Sequence, residues 1–304
     1  MNLSNLLNKQ HTWLVTGAAG FIGVNICKTL IHHNQIVFGF DNLSTGSIDN
    51  IKYLEEMPSS NKGSFIFIED DINNIDVALK NIEAIDYVLH QAALGSVPRS
   101  ISFPHDTNHS NVSGFLKVLD FSKNLGIKSF VYASSSSVYG DNDDLPKREQ
   151  IIGSQLSPYA VTKYTNELYA NVYASIHGIN VTGLRYFNVF GPHQNPNGPY
   201  AAVIPKWIIS TLQSKSIEIF GDGSTSRDFC YVDNAVQANI ASAILHENGS
   251  RIFNIACSNS TSLNQLAKFI QEIISSKSNN IDFKAIKYSD FRVGDIKHSL
   301  ADII

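Results

Sequence analysis

The chain has few cysteines, and it has no segment that would insert the protein into a membrane or direct it across one. The 304 residues include three cysteines, Cys27, Cys230 and Cys257. Because they are odd in number and scattered, they exclude a disulfide framework and argue against a zinc site. No apolar run approaches the length of a membrane span. The first ten residues are polar and lack the basic and apolar regions of a signal peptide.

A strong excess of charge of one sign is also missing. Charged residues make up 16% of the chain, and the formal net charge is −4. This balance gives no reason to expect nucleic acid or an anionic membrane as a partner. Together, these features predict a cytoplasmic globular protein without a metal ion.

Apolar segments of strand length alternate with segments of helical period through the first half of the chain. Strands are predicted at residues 13–16, 36–40, 65–68, 87–90, 129–133 and 181–184, and the main helices at 21–33, 108–124 and 158–177. Because the strands lack polar alternation, they indicate a parallel sheet covered on both faces, an α/β fold. After about residue 185 the elements become shorter, which predicts a smaller and partly interleaved second lobe.

A glycine cluster, GAAGFIG at residues 17–23, lies directly between the first predicted strand and the first helix. Glycines at such a turn let the backbone approach a pyrophosphate and let the helix pack against the sheet. The spacing is G-x-x-G-x-x-G rather than the dinucleotide fingerprint G-x-G-x-x-G. A glycine triplet alone is often only a turn, so its position before the helix is what favours nucleotide binding.

Asp41 ends the second predicted strand and begins the polar loop DNLSTG. An acid at this place can bind an adenosine ribose 2′-hydroxyl and would repel a 2′-phosphate, which favours NAD over NADP. The alternative is a turn-forming Asp-Asn pair. Further along, Asp71 and Ile72 could contact adenine, and the small residues after Gln91 would let a cofactor lie close.

Tyr159 and Lys163 are four residues apart in a segment with a good helix start, since Ser157 can cap it and Pro158 suits the first helical position. This spacing places the phenol and the ammonium on one helix face. At about 4 Å and an effective dielectric near 20, their attraction is roughly 4 kcal/mol. That would lower the tyrosine pKa by roughly three units and make a base of it. A surface Tyr–Lys pair is the alternative.

A serine run, SSSSVYG at residues 134–140, follows the fifth predicted strand. Hydroxyls at the carboxyl end of a parallel strand point into the ligand crevice. A serine there could hold a sugar hydroxyl or relay its proton to Tyr159, although serine runs are more often loops or linkers.

Taken together, GAAGFIG, DNLSTG, SSSSVYG, YAVTK at 159–163 and RYFNVFGP at 185–192 resemble the extended short-chain dehydrogenase/reductase superfamily. More closely, the chain is similar to UDP-hexose 4-epimerases of the UDP-N-acetylglucosamine type. The resemblance implies a Rossmann-type doubly wound NAD-binding domain at 1–185, to which part of 229–257 returns. It implies a UDP-sugar-binding lobe at 186–304 whose C-terminal end is missing, since relatives continue past the Ala-Asp segment that here ends at Asp302.

The resemblance also implies residue roles. Tyr159 would be the catalytic base, Lys163 would hold the nicotinamide ribose, and Ser135, four residues before Tyr139, would assist. The implied cofactor contacts are Gly17, Gly20, Phe21, Ile22, Gly23, Asp41, Asn42, Ser44, Thr45, Gly46, Asp71, Ile72, Gln91, Ala92, Ala93, Asn111, Tyr159, Lys163 and Tyr186. The implied substrate contacts are Gly95, Ser96, Ser135, Ser136, Tyr159, Asn188, Ala202, Val203, Arg227, Arg292 and Ser299, with the two arginines clamping the diphosphate.

Three further positions narrow the expected reaction. Related dehydratases carry an Asp-Glu pair where this chain has Ser136 and Ser137, so elimination lacks its acid and base. Ser299 stands where epimerases of non-acetylated sugars have a bulky Tyr, which leaves room for an N-acetyl group. The sequence therefore predicts NAD-dependent 4-epimerisation of a UDP-N-acetylhexosamine through a 4-keto intermediate. UDP-glucose, a UDP-N-acetylhexosaminuronate, or a non-catalytic NAD- and UDP-sugar-binding relic remain alternatives.

The resemblance finally implies a homodimer. In the family, helices equivalent to residues 108–124 and 158–177 pair across a two-fold axis as a four-helix bundle. By analogy alone, the product would supply polysaccharide biosynthesis.

Overall fold

The computed structural model describes residues 3–57, 63–197, 201–245, 248–277, 281–291 and 297–303. Its strands are β1 (Thr12–Thr16), β2 (Ile36–Asp41), β3 (Ser64–Glu69), β4 (Tyr87–His90), β5 (Ser129–Ser135), β6 (Val181–Tyr186), β7 (Val189–Phe190), β8 (Glu218–Phe220), β9 (Ser226–Asp228), β10 (Cys230–Tyr231), β11 (Ser250–Ile255), β12 (Ser260–Ser262) and β13 (Lys287–Ser289). Its α-helices are α1 (Leu3–Leu6), α2 (Phe21–His32), α3 (Ile48–Glu55), α4 (Ile75–Ala78), α5 (Val97–Ser102), α6 (Pro104–Asn108), α7 (Phe115–Leu125), α8 (Pro158–His177), α9 (Val203–Leu212), α10 (Val232–Leu245) and α11 (Leu263–Lys277).

Seven parallel strands form one sheet in the order β11-β6-β5-β4-β1-β2-β3. The strand order reverses at β1, and helices cover both faces. Trp13 and Val15 pack with α2 and α10, while Leu14, between them, packs with α7 on the other face. Both faces of β1 are therefore buried, as its apolar sequence predicts. The predicted α/β Rossmann-type doubly wound sheet is confirmed.

The most important helix start for the site is that of α8. Ser157 accepts a hydrogen bond from the Ala160 N–H at 3.1 Å, and Pro158 occupies the first turn. Gly178, in a left-handed conformation (φ 68°), ends the helix. Between the two ends, α8 packs along β5 and β6.

A second hydrophobic cluster lies outside the sheet. It brings together Ile204 and Trp207 of α9, Leu266 and Ile270 of α11, and Ile219 of β8. Three separate two-stranded sheets also form after β6: β7 with β10, β9 with β12, and β8 with β13. The chain enters the lobe after β6 and returns to the sheet as β11, which pairs with β6.

None of the helices within the described ranges has the length and apolar character needed to cross a bilayer. The same ranges bring together no group of three His, Cys, Asp or Glu side chains suited to a metal ion.

Candidate functional site

The glycine cluster forms the turn between β1 and α2 with no room for side chains. Gly17 has φ 72°, and a Cβ there would lie 2.7 Å from the Ala92 backbone nitrogen. A Cβ on Gly23 would lie 2.0 Å from the Gly17 carbonyl oxygen. Because side-chain atoms cannot approach that closely, both positions require glycine. The tight turn places the N-terminus of α2 at the carboxyl edge of the sheet, the kind of position where anions bind to the first N–H groups of a helix.

Asp41 fastens this turn to the loop after β2. Its carboxylate accepts the Ala19 N–H at 3.0 Å and the Leu43 N–H at 2.8 Å. Burial raises the pKa of Asp41, and these two donors oppose the increase. Gly46 lets the loop lie directly against the turn, because a Cβ at this position would be only 2.6 Å from the Cβ of Ala19. Asp41 thus organises the loop in addition to facing the cleft.

The cleft has two connected parts. The part beside Asp41 is lined by Gly17, Gly20, Asp41, Asn42, Ser44, Thr45, Asp70, Ile72, Gln91, Ala92, Ala93, Leu94 and Ser110. The part beside Tyr159 is lined by Gly17, Gly20, Phe21, Ile22, Gly23, Thr45, Gln91, Ala93, Gly95, Ala133, Ser134, Ser135, Tyr159, Lys163, Tyr186, Asn188 and Val189. Most of the predicted cofactor residues therefore meet along one crevice at the strand-order reversal.

Two predicted cofactor residues have other partners in the structure. The Asp71 carboxylate accepts hydrogen bonds from Asn73 and Asn42, and its neighbour Asp70 lines the cleft instead. Asn111 is buried, and its side-chain amide binds both backbone groups of Leu94 and the Thr162 hydroxyl. Neither residue is among those that line the two parts of the cleft, and their contact with the cofactor stays a prediction.

Tyr159, Lys163 and Ser135 lie together at the end of β5. Ser135 and Tyr159 line the same part of the cleft, and the Ser135 hydroxyl lies near enough to the Tyr159 phenol to influence its pKa. Lys163 Nζ donates to the Ala133 carbonyl oxygen at 2.8 Å and lies 5.9 Å from the centre of the Tyr159 ring. A lysine ammonium has three donors, so two remain for a ligand. The predicted trio is therefore assembled on one wall of the cleft.

The predicted electrostatic effect of Lys163 on Tyr159 is wrong for the protein alone. Burial raises the pKa of Tyr159, and the hydrogen bond with Ser135 is what opposes the increase. Burial also lowers the pKa of Lys163 from 10.5 to about 8. The Coulomb estimate is a value before the loss of hydration is subtracted, and that loss disfavours the charged form of both groups.

A closed ring of hydrogen bonds under the cleft involves a residue that sequence reasoning missed. Asn239 Nδ2 donates to the Tyr186 hydroxyl at 2.7 Å, and this hydroxyl donates to Gln91 Oε1 at 3.0 Å. Gln91 Nε2 then donates to Asn239 Oδ1 at 2.9 Å. Because Asn239 is 148 positions away from Gln91, no local motif could indicate the contact. The ring fixes two cleft-lining side chains.

The residues predicted to bind substrate are only partly brought together. Gly95, Ser135, Tyr159 and Asn188 line the cleft. Ser96 caps α5 by accepting from the Arg99 N–H, and Ser136, Ala202 and Val203 are not among the cleft-lining residues.

Arg227 and Ser299 lie next to each other in the second lobe. Arg227 Nη1 donates to the carbonyls of Ser226 and Lys297, and the Ser299 N–H donates to the Ser226 carbonyl. One nitrogen of the Arg227 guanidinium therefore bonds to backbone, and Arg227 is not among the residues that line the two parts of the cleft. The predicted partner, Arg292, lies outside the described residues.

Residues 13–256 match the profile of the NAD dependent epimerase/dehydratase family. The chain belongs to this family. Its cofactor is therefore NAD, and the crevice described above has the backbone donors, the acidic loop residue and the small side chains to hold it.

Similar proteins carry more specific names. UDP-glucuronate 4-epimerase of Thermodesulfobacterium geofontis is 35% identical over 96% of this chain and 87% of its own length. The structure of UDP-N-acetylglucosamine 4-epimerase from Methanobrevibacter ruminantium M1 in complex with UDP-N-acetylmuramic acid is 41% identical, with a TM-score of 0.87 over 97% of this chain and 90% of that one. UDP-glucuronic acid 4-epimerase from Bacillus cereus, solved with UDP-glucuronic acid and NAD, is 30% identical, with a TM-score of 0.82 over 97% and 90%.

Proposed function

We propose that this protein is an NAD-dependent UDP-sugar 4-epimerase. The observation that supports this best is the grouping of Tyr159, Lys163 and Ser135 on one wall of the cofactor crevice. Family membership and the names of the similar proteins agree with it.

The chain's own residues have distinct tasks in this reaction. Tyr159 accepts the proton of the sugar 4-hydroxyl, either directly or through Ser135, and later returns it. Lys163 keeps two N–H donors for the nicotinamide ribose while its third bond holds the end of β5. Bound in the crevice, NAD would supply reversible hydride transfer at the sugar C4, so the reaction would have no net redox change. Inversion then requires that the sugar turn over between the two transfers.

Epimerisation is favoured over the dehydratase reaction that the family also contains. Elimination of water needs an acid and a base beside Ser135, and the positions that follow are Ser136 and Ser137. The Ser137 hydroxyl donates to Ser135 Oγ at 2.9 Å. A hydroxyl used in this way supports the Ser–Tyr pair and offers no carboxylate for elimination.

For the substrate we propose a UDP-N-acetylhexosamine, UDP-N-acetylglucosamine or UDP-N-acetylgalactosamine. One support is the small side chain of Ser299, which lies near Arg227 because both residues donate a hydrogen bond to the Ser226 carbonyl. The other is the name of the similar structure at 41% identity. UDP-glucuronate is the second candidate, because the name of the relative at 35% identity carries it.

We also propose that two copies pair through α8. One face of this helix exposes Val161, Leu168, Val172 and Ile176, with Ile176 70% exposed. Ile101, on the neighbouring α5, is 63% exposed and extends the patch. Exposed apolar stripes of this kind are typical of helix–helix association.

We further propose that the protein is cytoplasmic, and that the chain divides at about residue 185 into a cofactor-binding part and a substrate-binding part.

Proton NMR of the NAD-loaded protein tests the function directly. UDP-N-acetylglucosamine, UDP-glucuronate and UDP-glucose are supplied in parallel, and the anomeric signals of the 4-epimers are followed. We expect conversion of the acetylated sugar and its loss in Tyr159→Phe. Faster conversion of UDP-glucuronate would reassign the substrate, and no conversion of any UDP-sugar by folded, NAD-loaded protein would refute the enzyme.

A further inference from the structure

A buried ion pair lies directly behind the Tyr159–Ser135 wall and has no place in the reaction described above. Glu167 and Arg185 form two parallel bonds, Nε to Oε1 at 2.9 Å and Nη2 to Oε2 at 2.8 Å. Their side chains are only 6% and 4% exposed. The Arg185 guanidinium also donates to the Glu149 carbonyl and stacks 4.8 Å from the Tyr139 ring centre. Three of the five N–H donors of Arg185 and both oxygens of Glu167 are therefore hydrogen-bonded inside the protein.

The position of Glu167 on α8 relates it to the catalytic residues. Tyr159, Lys163 and Glu167 follow one another at intervals of four residues, so they share one face of the helix. The opposing segment is the end of β5, residues 133–135.

Each of these three helix residues faces one residue of the strand end. Lys163 donates to the Ala133 carbonyl, Glu167 Oε1 accepts the Ser134 hydroxyl at 2.6 Å, and Tyr159 lines the cleft beside Ser135. Two hydrogen bonds thus join the helix to the strand end at the two residues before Ser135.

Arg185 secures the second of these bonds from the neighbouring strand. It lies on β6 directly beside Ser134 in the parallel register, and Tyr186 lies beside Ser135. Because the bidentate bond with Arg185 fixes the planar carboxylate in one orientation, Glu167 cannot rotate away from Ser134. Helix, β5 and β6 are therefore locked to one another at the level of the catalytic pair.

We propose that Glu167, held by Arg185, is a positioning residue that acts through Ser134 to keep the Ser135 hydroxyl against the Tyr159 phenol. This inference rests on the proposed function for its catalytic consequence. Removal of the Ser134 hydroxyl breaks its hydrogen bond with Glu167, so the backbone next to Ser135 is held less firmly against α8. A hydroxyl displaced by a fraction of an ångström weakens proton transfer without altering the groups that bind substrate.

The test variant is Ser134→Ala rather than Glu167→Gln. Glu167→Gln leaves a buried guanidinium without its counter-charge and can unfold the chain. Ser134→Ala removes one hydroxyl and keeps the ion pair. The matched control is Ser129→Ala at the other end of β5, since the Ser129 hydroxyl is equally buried and has no hydrogen-bond partner.

Steady-state kinetics on NAD-loaded protein give the first readout. For Ser134→Ala we expect kcat to fall roughly ten- to a hundredfold, while its KM changes less than about twofold. For the Ser129→Ala control we expect kcat to change less than about twofold. In a Ser135→Ala background the Ser134→Ala change should add nothing, because its effect passes through Ser135. Equal losses in both backgrounds would overturn the proposal.

A second readout does not depend on turnover. The titration of Tyr159 is followed by 13C NMR of protein labelled at the tyrosine ζ carbon, with the resonance assigned by Tyr159→Phe. Lys163 is the charged group that faces this ring, and it is unchanged in the variant. We expect Ser134→Ala to move the titration of Tyr159 to higher pH, since the opposing Ser135 bond is weakened. If the titration of Tyr159 is unchanged in Ser134→Ala, the positioning role is refuted, whether or not the wild-type protein converts a sugar. If the titration shifts but the wild-type protein converts no sugar, only the proposed function is refuted.

Discussion

Replacement of Lys163 by methionine is expected to abolish activity and yet stabilise the fold near neutral pH. Lys163 is 3% exposed, and burial lowers its pKa from 10.5 to about 8. In the folded chain the charged form is therefore disfavoured by roughly 3 kcal/mol relative to the unfolded chain. Methionine has a similar length and no charge, so it escapes this penalty.

The gain is reduced by the bond that the lysine makes. Loss of the Nζ donor leaves the Ala133 carbonyl without this partner, which costs about 1–3 kcal/mol for a buried acceptor. The expected net stabilisation of Lys163→Met at pH 7 is therefore about 1 kcal/mol.

The pH dependence distinguishes this cause from a general packing effect. Between the folded pKa of about 8 and the ordinary value of 10.5, the unfolded chain binds more protons than the folded one. Wild-type stability therefore rises with pH across this window, and the penalty is fully present only below it. From about pH 7 to about pH 9.5 the advantage of the variant should shrink by roughly 2 kcal/mol and reverse.

Equilibrium urea unfolding of NAD-free protein at the two pH values measures the difference. The control is Lys268→Met, because the Lys268 side chain is 75% exposed and its pairing with Glu272 lies on the surface. A stability difference that stays constant with pH, or a Met variant that is less stable at both values, would refute the reasoning.

Three other predictions concern the cofactor turn, the polar ring and the helix face. Gly23→Ala places a Cβ 2.0 Å from the Gly17 carbonyl, so NAD content after purification should fall sharply, as measured by absorbance of the released cofactor. Asn239→Ala breaks the ring that holds Tyr186; we expect weaker NAD binding by calorimetry, and unchanged affinity would show that the ring is only structural. Leu168→Glu puts a charge on the exposed face of α8, and sedimentation velocity should show monomers if the proposed dimer is correct.

Much of the fold can be predicted from the sequence because local residue patterns determine where its strands and helices begin and end. The strand predicted at 13–16 is β1 (Thr12–Thr16), and the helix predicted at 21–33 is α2 (Phe21–His32), whereas the short α1 before them was not predicted. Apolar runs can form strands only where both faces are covered, so they also indicated the parallel sheet. The Ser157 cap was correct since capping depends on residues within one turn.

The parts of the site that were missed depend on contacts between distant segments. Glu167 and Arg185 belong to different elements, and nothing in either local sequence marks a buried ion pair. The pKa of Tyr159 was predicted in the wrong direction because the sequence gives the spacing of two charges but not their burial. Spacing identified the catalytic candidates, whereas desolvation and long-range bonds determine how they behave.

The return of β11 to the edge of the sheet has a consequence for how the chain folds. β6 ends at Tyr186, and its outer partner begins only at Ser250, after the segment that carries α9 and α10. Until that segment has been synthesised, β6 is an unpaired edge with apolar residues on both faces, a known template for aggregation. A fragment ending near residue 185 should therefore be poorly soluble even though it contains the complete glycine turn and the Tyr159 helix. The segment between β6 and β11 must be made before the sheet can be completed, so the cofactor sheet of this protein cannot be separated from the part of the second lobe that this segment forms.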